Sequence, residues 1–159
     1  MTRPKARRDF LIDSGALSFL AASDQRSKAW LDEIASRYDD PAIYVTGNVL
    51  TEARSGKPDV DANINRLPKR LAGATSPNPY YLDVPERIAD RAALLRIQGT
   101  TARGSSARRR PISVTDAQLV ALAEDRSSTN AVTILTTDPD DIMLLVDLTG
   151  ATNIAVQAV

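Results

Sequence analysis

The sequence predicts an α/β fold, a three-layer sandwich with a central parallel sheet of four or five strands. Two observations carry this prediction. Short apolar runs that end in a polar turn recur along the chain, and such runs are typical of buried strands. Each is followed by a stretch with apolar residues at helical spacing, and strands that alternate with helices favour a parallel sheet. With 159 residues, 43% of them apolar, the chain is predicted to form one domain over 1–159.

The strands are predicted from the apolar runs in chain order. The first covers 10–12 and runs directly into Asp13, and the clearest covers 131–136, where β-branched residues are frequent. The remaining strands are predicted at 42–45, 80–84 and 153–156.

The helices are predicted from apolar spacing and from capping residues. Pro68 is expected to end or kink its helix, Ser113 and Asp116 resemble the two ends of a capping box, and Gly150 is expected to end the last helix. The predicted helices cover 16–22, a segment capped by Ser23 or Asp24, 49–54, 59–71, a segment with Pro85 in its first turn, 117–123, and a segment through 142–146.

Composition excludes several classes of chemistry. The chain has no cysteine, so disulfides and thiolate metal sites are excluded, and it has no histidine, so Ser-His-Asp catalysis and histidine-bound zinc are excluded. No apolar run approaches the roughly 20 residues of a membrane span, and the start lacks the apolar core of a signal peptide. We therefore expect a cytoplasmic protein with no membrane contact, whose chemistry depends on carboxylates, hydroxyls and basic groups.

Four acidic residues fall at strand-to-helix or loop-to-helix junctions: Asp13, Glu52, Asp116 and Asp138. Taken singly, each has an ordinary explanation as a helix cap or a solvent-facing residue. Taken together, they belong at one edge of a parallel sheet, where α/β proteins place their ligand sites. Carboxylates brought together repel one another unless one is protonated or a cation is present.

Such a cluster of hard oxygen ligands suits Mg²⁺ or Mn²⁺, which bridge to phosphate and support phosphodiester hydrolysis. A glycosidase-type pair of carboxylates needs no metal, but it fits four acids at a sheet edge less well.

Two basic clusters can contact phosphate. One lies in a predicted N-terminal extension, 1–8, and the other in a predicted flexible loop, 99–111, which is interpreted as an RNA-contacting loop. The alternatives, a solvated tail and a disordered connector, stay open. The clusters consist of Arg3, Lys5, Arg7 and Arg8, and of Arg103, Arg108, Arg109 and Arg110.

Four segments together resemble the PIN-domain ribonucleases, and within them the VapC-type toxins. The segments are FLIDSGAL at 10–17, VLTEAR at 49–54, TDAQLVALA at 115–123 and ILTTDPDDI at 134–142. They occur in the order found in the family, and the resemblance spans about 9–158. Gly15 departs from the pattern, since many relatives have Ser or Thr there, and Ser113 stands where some have another acid.

The resemblance implies a Mg²⁺- or Mn²⁺-dependent endoribonuclease, a homodimer that a cognate VapB-like antitoxin inhibits. It implies that Asp13, Asp116 and Asp138 hold the metal and that Glu52 acts directly or through a water. It also implies that Ser14 or Thr137 positions that water. Asp141 is a fifth candidate ligand.

Two other functions stay open from the sequence. A non-catalytic RNA-binding module with a PIN-like fold would bind RNA with or without a divalent cation. A metal-dependent phosphatase would hydrolyse a small phosphomonoester and leave RNA intact.

Overall fold

A computed structural model describes residues 7–38, 41–71, 81–104 and 110–159, without the side chains of 67–71. In these ranges it contains five strands and seven helices. The strands are β1 (Arg8–Ile12), β2 (Ala42–Thr46), β3 (Tyr81–Leu82), β4 (Ala131–Thr136) and β5 (Ile154–Ala158). The helices are α1 (Ser14–Ala21), α2 (Gln25–Arg37), α3 (Gly47–Ala53), α4 (Pro58–Leu71), α5 (Glu86–Ala102), α6 (Val114–Ser127) and α7 (Pro139–Thr149).

The strands form one parallel sheet in the order β3-β2-β1-β4-β5. The central strand β1 pairs with β2, where Phe10 lies opposite Ile43, and with β4, where Ile12 lies opposite Leu135. Because the strands are parallel, the carboxyl ends of β1, β2 and β4 lie at one edge of the sheet. The segments that follow these strands therefore meet at that edge.

Alternating side chains of the strands supply two cores, one on each face of the sheet. Leu11 of β1 belongs to the core formed with α5, α6 and α7. Phe10 and Ile12 belong to the core formed with α1, α2, α3 and α4. This is the predicted three-layer, PIN-like α/β fold, with a sheet buried on both sides as parallel sheets usually are.

Trp30 lies in the second core rather than on a free surface. Its ring packs edge-on against Phe10, with 5.8 Å between ring centroids, and Phe10 packs in the same way against Tyr38 at 5.6 Å. Trp30 therefore anchors α2 to the central strand, as its place on an amphipathic helix predicts.

The capping predictions are confirmed at three helices. Asp24 caps α2 by accepting a hydrogen bond from Ser27 N at 2.9 Å, and Ser113 caps α6 by accepting one from Asp116 N at 2.9 Å. Gly150 ends α7 with φ of 69°, a left-handed conformation that glycine adopts without strain.

The predicted loop 99–111 begins too early, because α5 continues to Ala102. Gly99 does not break the helix. A Cβ there would lie 2.8 Å from Leu145 Cδ2 and 3.2 Å from Ile112 Cγ1, so this glycine allows α5 to pack closely against α7. Residues 105–109, including Arg108 and Arg109, lie outside the described residues.

Four further predictions differ in their boundaries. Pro68 does not end α4, which continues to Leu71. The described part of the third strand is Tyr81–Leu82, residue 80 lies outside the described residues, and Pro85 is the cap of α5 rather than a residue of its first turn. In the N-terminal extension, Arg8 already belongs to β1, and residues 1–6 lie outside the described part of the chain.

The described helices include none that is long and apolar enough to cross a membrane.

Candidate active site

Asp13 links two neighbouring strands at the carboxyl edge of the sheet. It directly follows β1, and its backbone N–H donates to Leu135 O of β4 at 3.1 Å. Its carboxylate caps α1, since Oδ1 accepts a hydrogen bond from Ala16 N at 2.6 Å, and Oδ2 accepts one from Thr137 N at 3.3 Å. Asp13 is therefore a buried structural cap as well as a candidate ligand.

Gly15 allows Thr137 to approach the first turn of α1. A Cβ at position 15 would overlap Thr137 Oγ1 and would lie 2.9 Å from Thr137 Cβ. A side chain at this position therefore requires either α1 or the segment after β4 to move. The glycine at position 15 thus has a local physical reason. The neighbouring Ser14, a half-buried residue, is the first of α1.

We expect Gly15→Ala to destabilise the protein by about 1–3 kcal/mol, because the methyl group must displace Thr137. Gly47→Ala is the matched control: Gly47 begins α3, and no described atom lies within 4 Å of the position that its Cβ would take. The control is expected to be neutral or to stabilise by about 0.4–1 kcal/mol. Urea unfolding measures the free energy of unfolding of both variants. Equal values would show that Thr137 does not exclude a side chain at position 15.

Glu52 reaches the same edge from α3, the helix that follows β2. Thr115 Oγ1 donates a hydrogen bond to Glu52 Oε1 at 2.5 Å. A second hydrogen bond joins the same two helices, from Asn48 Nδ2 of α3 to Gln118 Oε1 of α6, also at 2.5 Å. The side chain of Glu52 is therefore held towards the amino end of α6.

Asp116 lies in the first turn of α6, and its pKa is affected by the other acids. Burial raises the pKa of Asp116 above its ordinary value, and a hydrogen bond with Ser113 opposes this effect. Repulsion from Asp13, Glu52 and Asp138 raises the pKa of Asp116 further. Asp116 therefore lies within electrostatic range of each of the other three predicted acids.

Asp138 follows β4 and stands at the amino end of α7. Its backbone N–H donates to Thr136 Oγ1 at 2.9 Å, and its side chain makes no capping hydrogen bond to α7. The ordinary explanation for this residue, a helix cap, is therefore not its role in the structure. Its carboxylate lines a cleft together with Asp116.

This cleft has a volume of about 610 Å³ and carries charges of both signs. Arg103 forms an ion pair with Asp141, and both side chains are largely buried. Arg103 Nη1 also donates to Arg110 O at 2.7 Å, which joins the two described ends of the basic loop. The cleft is lined by Arg103, Arg110, Pro111, Ser113, Asp116, Asp138, Asp140, Asp141 and Leu144.

The ion pair gives Asp141 a cationic partner within the described part of the chain. A guanidinium beside Asp141 offsets the negative charge of its carboxylate. The sequence predicts Asp141 as a fifth candidate ligand and Arg103 as an RNA-binding residue. In the structure they bind each other at the wall of the cleft.

The donor set at this edge suits a hard divalent cation. Within the described ranges, no three carboxylates are close enough to bind one ion by themselves. Mg²⁺ commonly takes only one or two carboxylates and completes its shell with water and phosphate oxygens. Oxygen ligands that repel one another thus fit Mg²⁺ or Mn²⁺ by their chemistry.

Sequence reasoning missed Thr115 and its neighbours. Thr115 lies beside Asp116 in the chain, but its partner Glu52 is 63 residues away. Neither a buried threonine hydroxyl nor the Asn48–Gln118 pair can be predicted from apolar spacing or from capping patterns. Only the two hydrogen bonds between α3 and α6 in the folded chain reveal them.

Comparisons with known proteins support the fold and do not identify an activity. No protein-family model matches the chain, and no curated protein matches it in sequence. A solved structure with a similar fold is that of VapBC-1 from nontypeable Haemophilus influenzae. The two chains share 13% sequence identity with a TM-score of 0.61, and the match covers 94% of this chain and 97% of the other.

Proposed function

We propose that this chain is a Mg²⁺- or Mn²⁺-dependent endoribonuclease and the toxin of a toxin–antitoxin pair. The observation that carries the proposal is the environment of Asp116, whose carboxylate is half-buried at the cleft and repelled by Asp13, Glu52 and Asp138. Such an arrangement is unfavourable without a cation, and proteins keep strained electrostatics of this kind mainly at functional sites. The similar fold of a VapBC chain agrees with the proposal.

The four acids take different roles in the proposed reaction. Asp13, Asp116 and Asp138 would hold the metal, one or two of them as direct ligands and the rest through bound water. The metal would supply positive charge to the phosphodiester and lower the pKa of a water, so that the water can lose a proton and attack the phosphorus. Glu52 would accept the proton of the attacking water through its carboxylate. Ser14 or Thr137 would orient that water by hydrogen bonding.

The arginines of the cleft would bind the RNA backbone. Arg103 and Arg110 line the wall beside Asp116 and Asp138, and phosphates that approach the acids would pass them. Arg108 and Arg109 belong to the same proposed RNA-binding set. Affinity supplied by such residues decreases as salt increases, because each phosphate contact releases counterions.

The proposed partners follow from the family resemblance. The solved structure with a similar fold is a VapBC assembly, and we propose a cognate VapB-like antitoxin for this chain. A homodimer is proposed on the ground of the family resemblance. An adjacent small reading frame that encodes a DNA-binding protein would identify the antitoxin.

The function is tested by incubating the purified chain with structured RNA and Mg²⁺ or Mn²⁺, with EDTA as the control. We expect internal cleavage with either metal and none with EDTA. RNA binding without cleavage, unchanged by the metal, would instead identify a non-catalytic RNA-binding module. Hydrolysis of a small phosphomonoester with intact RNA would identify a phosphatase.

The RNA-binding role of the cleft predicts a change in salt dependence for Arg110→Gln. Loss of one phosphate contact should reduce the slope of log affinity against log salt by about 0.7 for single-stranded RNA. Fluorescence polarisation in EDTA measures this slope while the RNA stays intact. Arg37→Gln on α2 is the matched control, since Arg37 forms an exposed ion pair with Glu33 in the described part of the chain and does not line the cleft, and equal slopes for both variants would contradict the prediction.

A further inference from the structure

Glu52 is the acid of the site whose position is least fixed by its own helix. It lies on α3, a helix of only seven residues, and its side chain is exposed. Repulsion between Glu52 and Asp116 favours a rotamer of Glu52 that points away into water. A neighbouring group must therefore hold its carboxylate at the site.

Thr115 supplies such a group. Its side chain is 5% exposed, and its hydroxyl donates to Glu52 Oε1 at 2.5 Å. A hydroxyl that donates to a carboxylate is among the stronger hydrogen bonds in proteins. Thr115 lies in the capped first turn of α6, and because it is β-branched, its side chain is restricted to two main χ1 rotamers in a helix. The hydrogen bond to Glu52 selects one orientation of the hydroxyl.

A second hydrogen bond joins the same two helices. Asn48 precedes Glu52 by four residues and Gln118 follows Thr115 by three, so each pair shares one helix face. The Asn48–Gln118 hydrogen bond therefore lies about one turn from the Thr115–Glu52 hydrogen bond. Together the two hydrogen bonds restrict the rotation of α3 relative to α6.

We propose that Thr115 is a positioning residue that holds Glu52 in place for proton transfer, with Asn48 and Gln118 keeping α3 and α6 aligned. The proposal rests on the proposed nuclease function for its consequence. The contact itself stands independently, since it joins two side chains of the chain and needs no ligand. Thr115 touches no substrate and acts only through Glu52.

The contact is tested first without metal, by urea unfolding in EDTA of Thr115→Val, Glu52→Ala and the double variant. We expect a coupling of about tenfold in the unfolding equilibrium constant, as for a hydrogen bond to a charged group. If the effect of the double variant on this constant equals the product of the two single effects, the side chains are not coupled and the proposal is overturned. The matched control is Thr129→Val, which removes an exposed hydroxyl just beyond the other end of α6 that donates to Arg126 O, and it should show no coupling to Glu52→Ala.

The consequence is tested by RNA cleavage kinetics with Mn²⁺. Thr115→Val should reduce kcat about tenfold to a hundredfold with KM unchanged, because a small misplacement of a catalytic group has effects of this size. Thr115→Ser, which keeps the hydroxyl, should recover most of the rate. In the Glu52→Ala background, Thr115→Val should cause no further loss.

The outcomes separate the two proposals. Parental kcat in Thr115→Val, or equal losses in the Val and Ser variants, would overturn the positioning role. If the parent chain cleaves no RNA with any divalent cation, the proposed function fails. A coupling in the metal-free cycle would then still support the Thr115–Glu52 contact.

Discussion

Replacing Asp116 by Asn is expected to abolish RNA cleavage and, at the same time, to stabilise the metal-free protein. Loss of a carboxylate that holds the metal should reduce kcat/KM by about a thousandfold, which corresponds to several kcal/mol of transition-state stabilisation. The stabilisation follows from the raised pKa of Asp116, since burial and repulsion exceed the favourable effect of Ser113. Neutral Asn removes that unfavourable charge.

The two effects of Asp116→Asn are measured separately. Cleavage is followed with Mn²⁺, and the midpoint of urea unfolding is measured in EDTA, where it should increase. Asp147→Asn on α7 is the matched control, because Asp147 is exposed and lies outside the cleft, and it should change neither quantity. An Asn variant that cleaves like the parent, or that unfolds more readily in EDTA, would contradict the assignment of Asp116.

Removing the guanidinium of Arg126 is expected to destabilise the fold by about 3–5 kcal/mol. Asp9 of β1 is completely buried, and its Oδ2 accepts hydrogen bonds from Arg126 Nε at 3.0 Å and Nη2 at 2.7 Å. Asn130 Nδ2 donates to the same oxygen at 3.1 Å. The guanidinium of Arg126 also lies 4.2 Å from the centre of the Tyr44 ring.

Arg126→Met leaves the carboxylate of Asp9 buried beside Asn130 alone, and this uncompensated charge is the source of the cost. The double variant Asp9→Leu, Arg126→Met removes the charge as well and should recover much of the lost free energy of unfolding. Urea denaturation measures both variants. A loss below about 1 kcal/mol in Arg126→Met would show that the pair behaves like an exposed surface pair.

The sequence predicted best those features that local pattern determines. The apolar run before Asp13 and the β-branched run before Asp138 correctly indicate β1 and β4, and the acids that follow them lie at one edge of the sheet because the two strands are parallel neighbours. Asp24 and Ser113 were correctly predicted as caps, since the cap and the N–H that it binds lie within three residues of each other.

The features that the sequence did not predict depend on contacts between distant segments. Gly99 indicated a loop, but its missing side chain serves the close packing of α5 on α7. Asp9 lies in an apolar strand, and only the position of Arg126, 117 residues later, explains its burial. The Thr115–Glu52 hydrogen bond and the Arg103–Asp141 ion pair likewise join segments whose proximity no local pattern reveals.

The most direct test of the proposed metal site is an anomalous difference map from a crystal of the chain grown with Mn²⁺. We expect a peak at the carboxyl edge of the sheet, with oxygen ligands from Asp13, Asp116 or Asp138 at about 2.1–2.2 Å, close to the Mg²⁺ distances, and no peak there in Asp116→Asn. A peak at another surface, or none at saturating Mn²⁺, would contradict the view that these carboxylates form one metal-binding site.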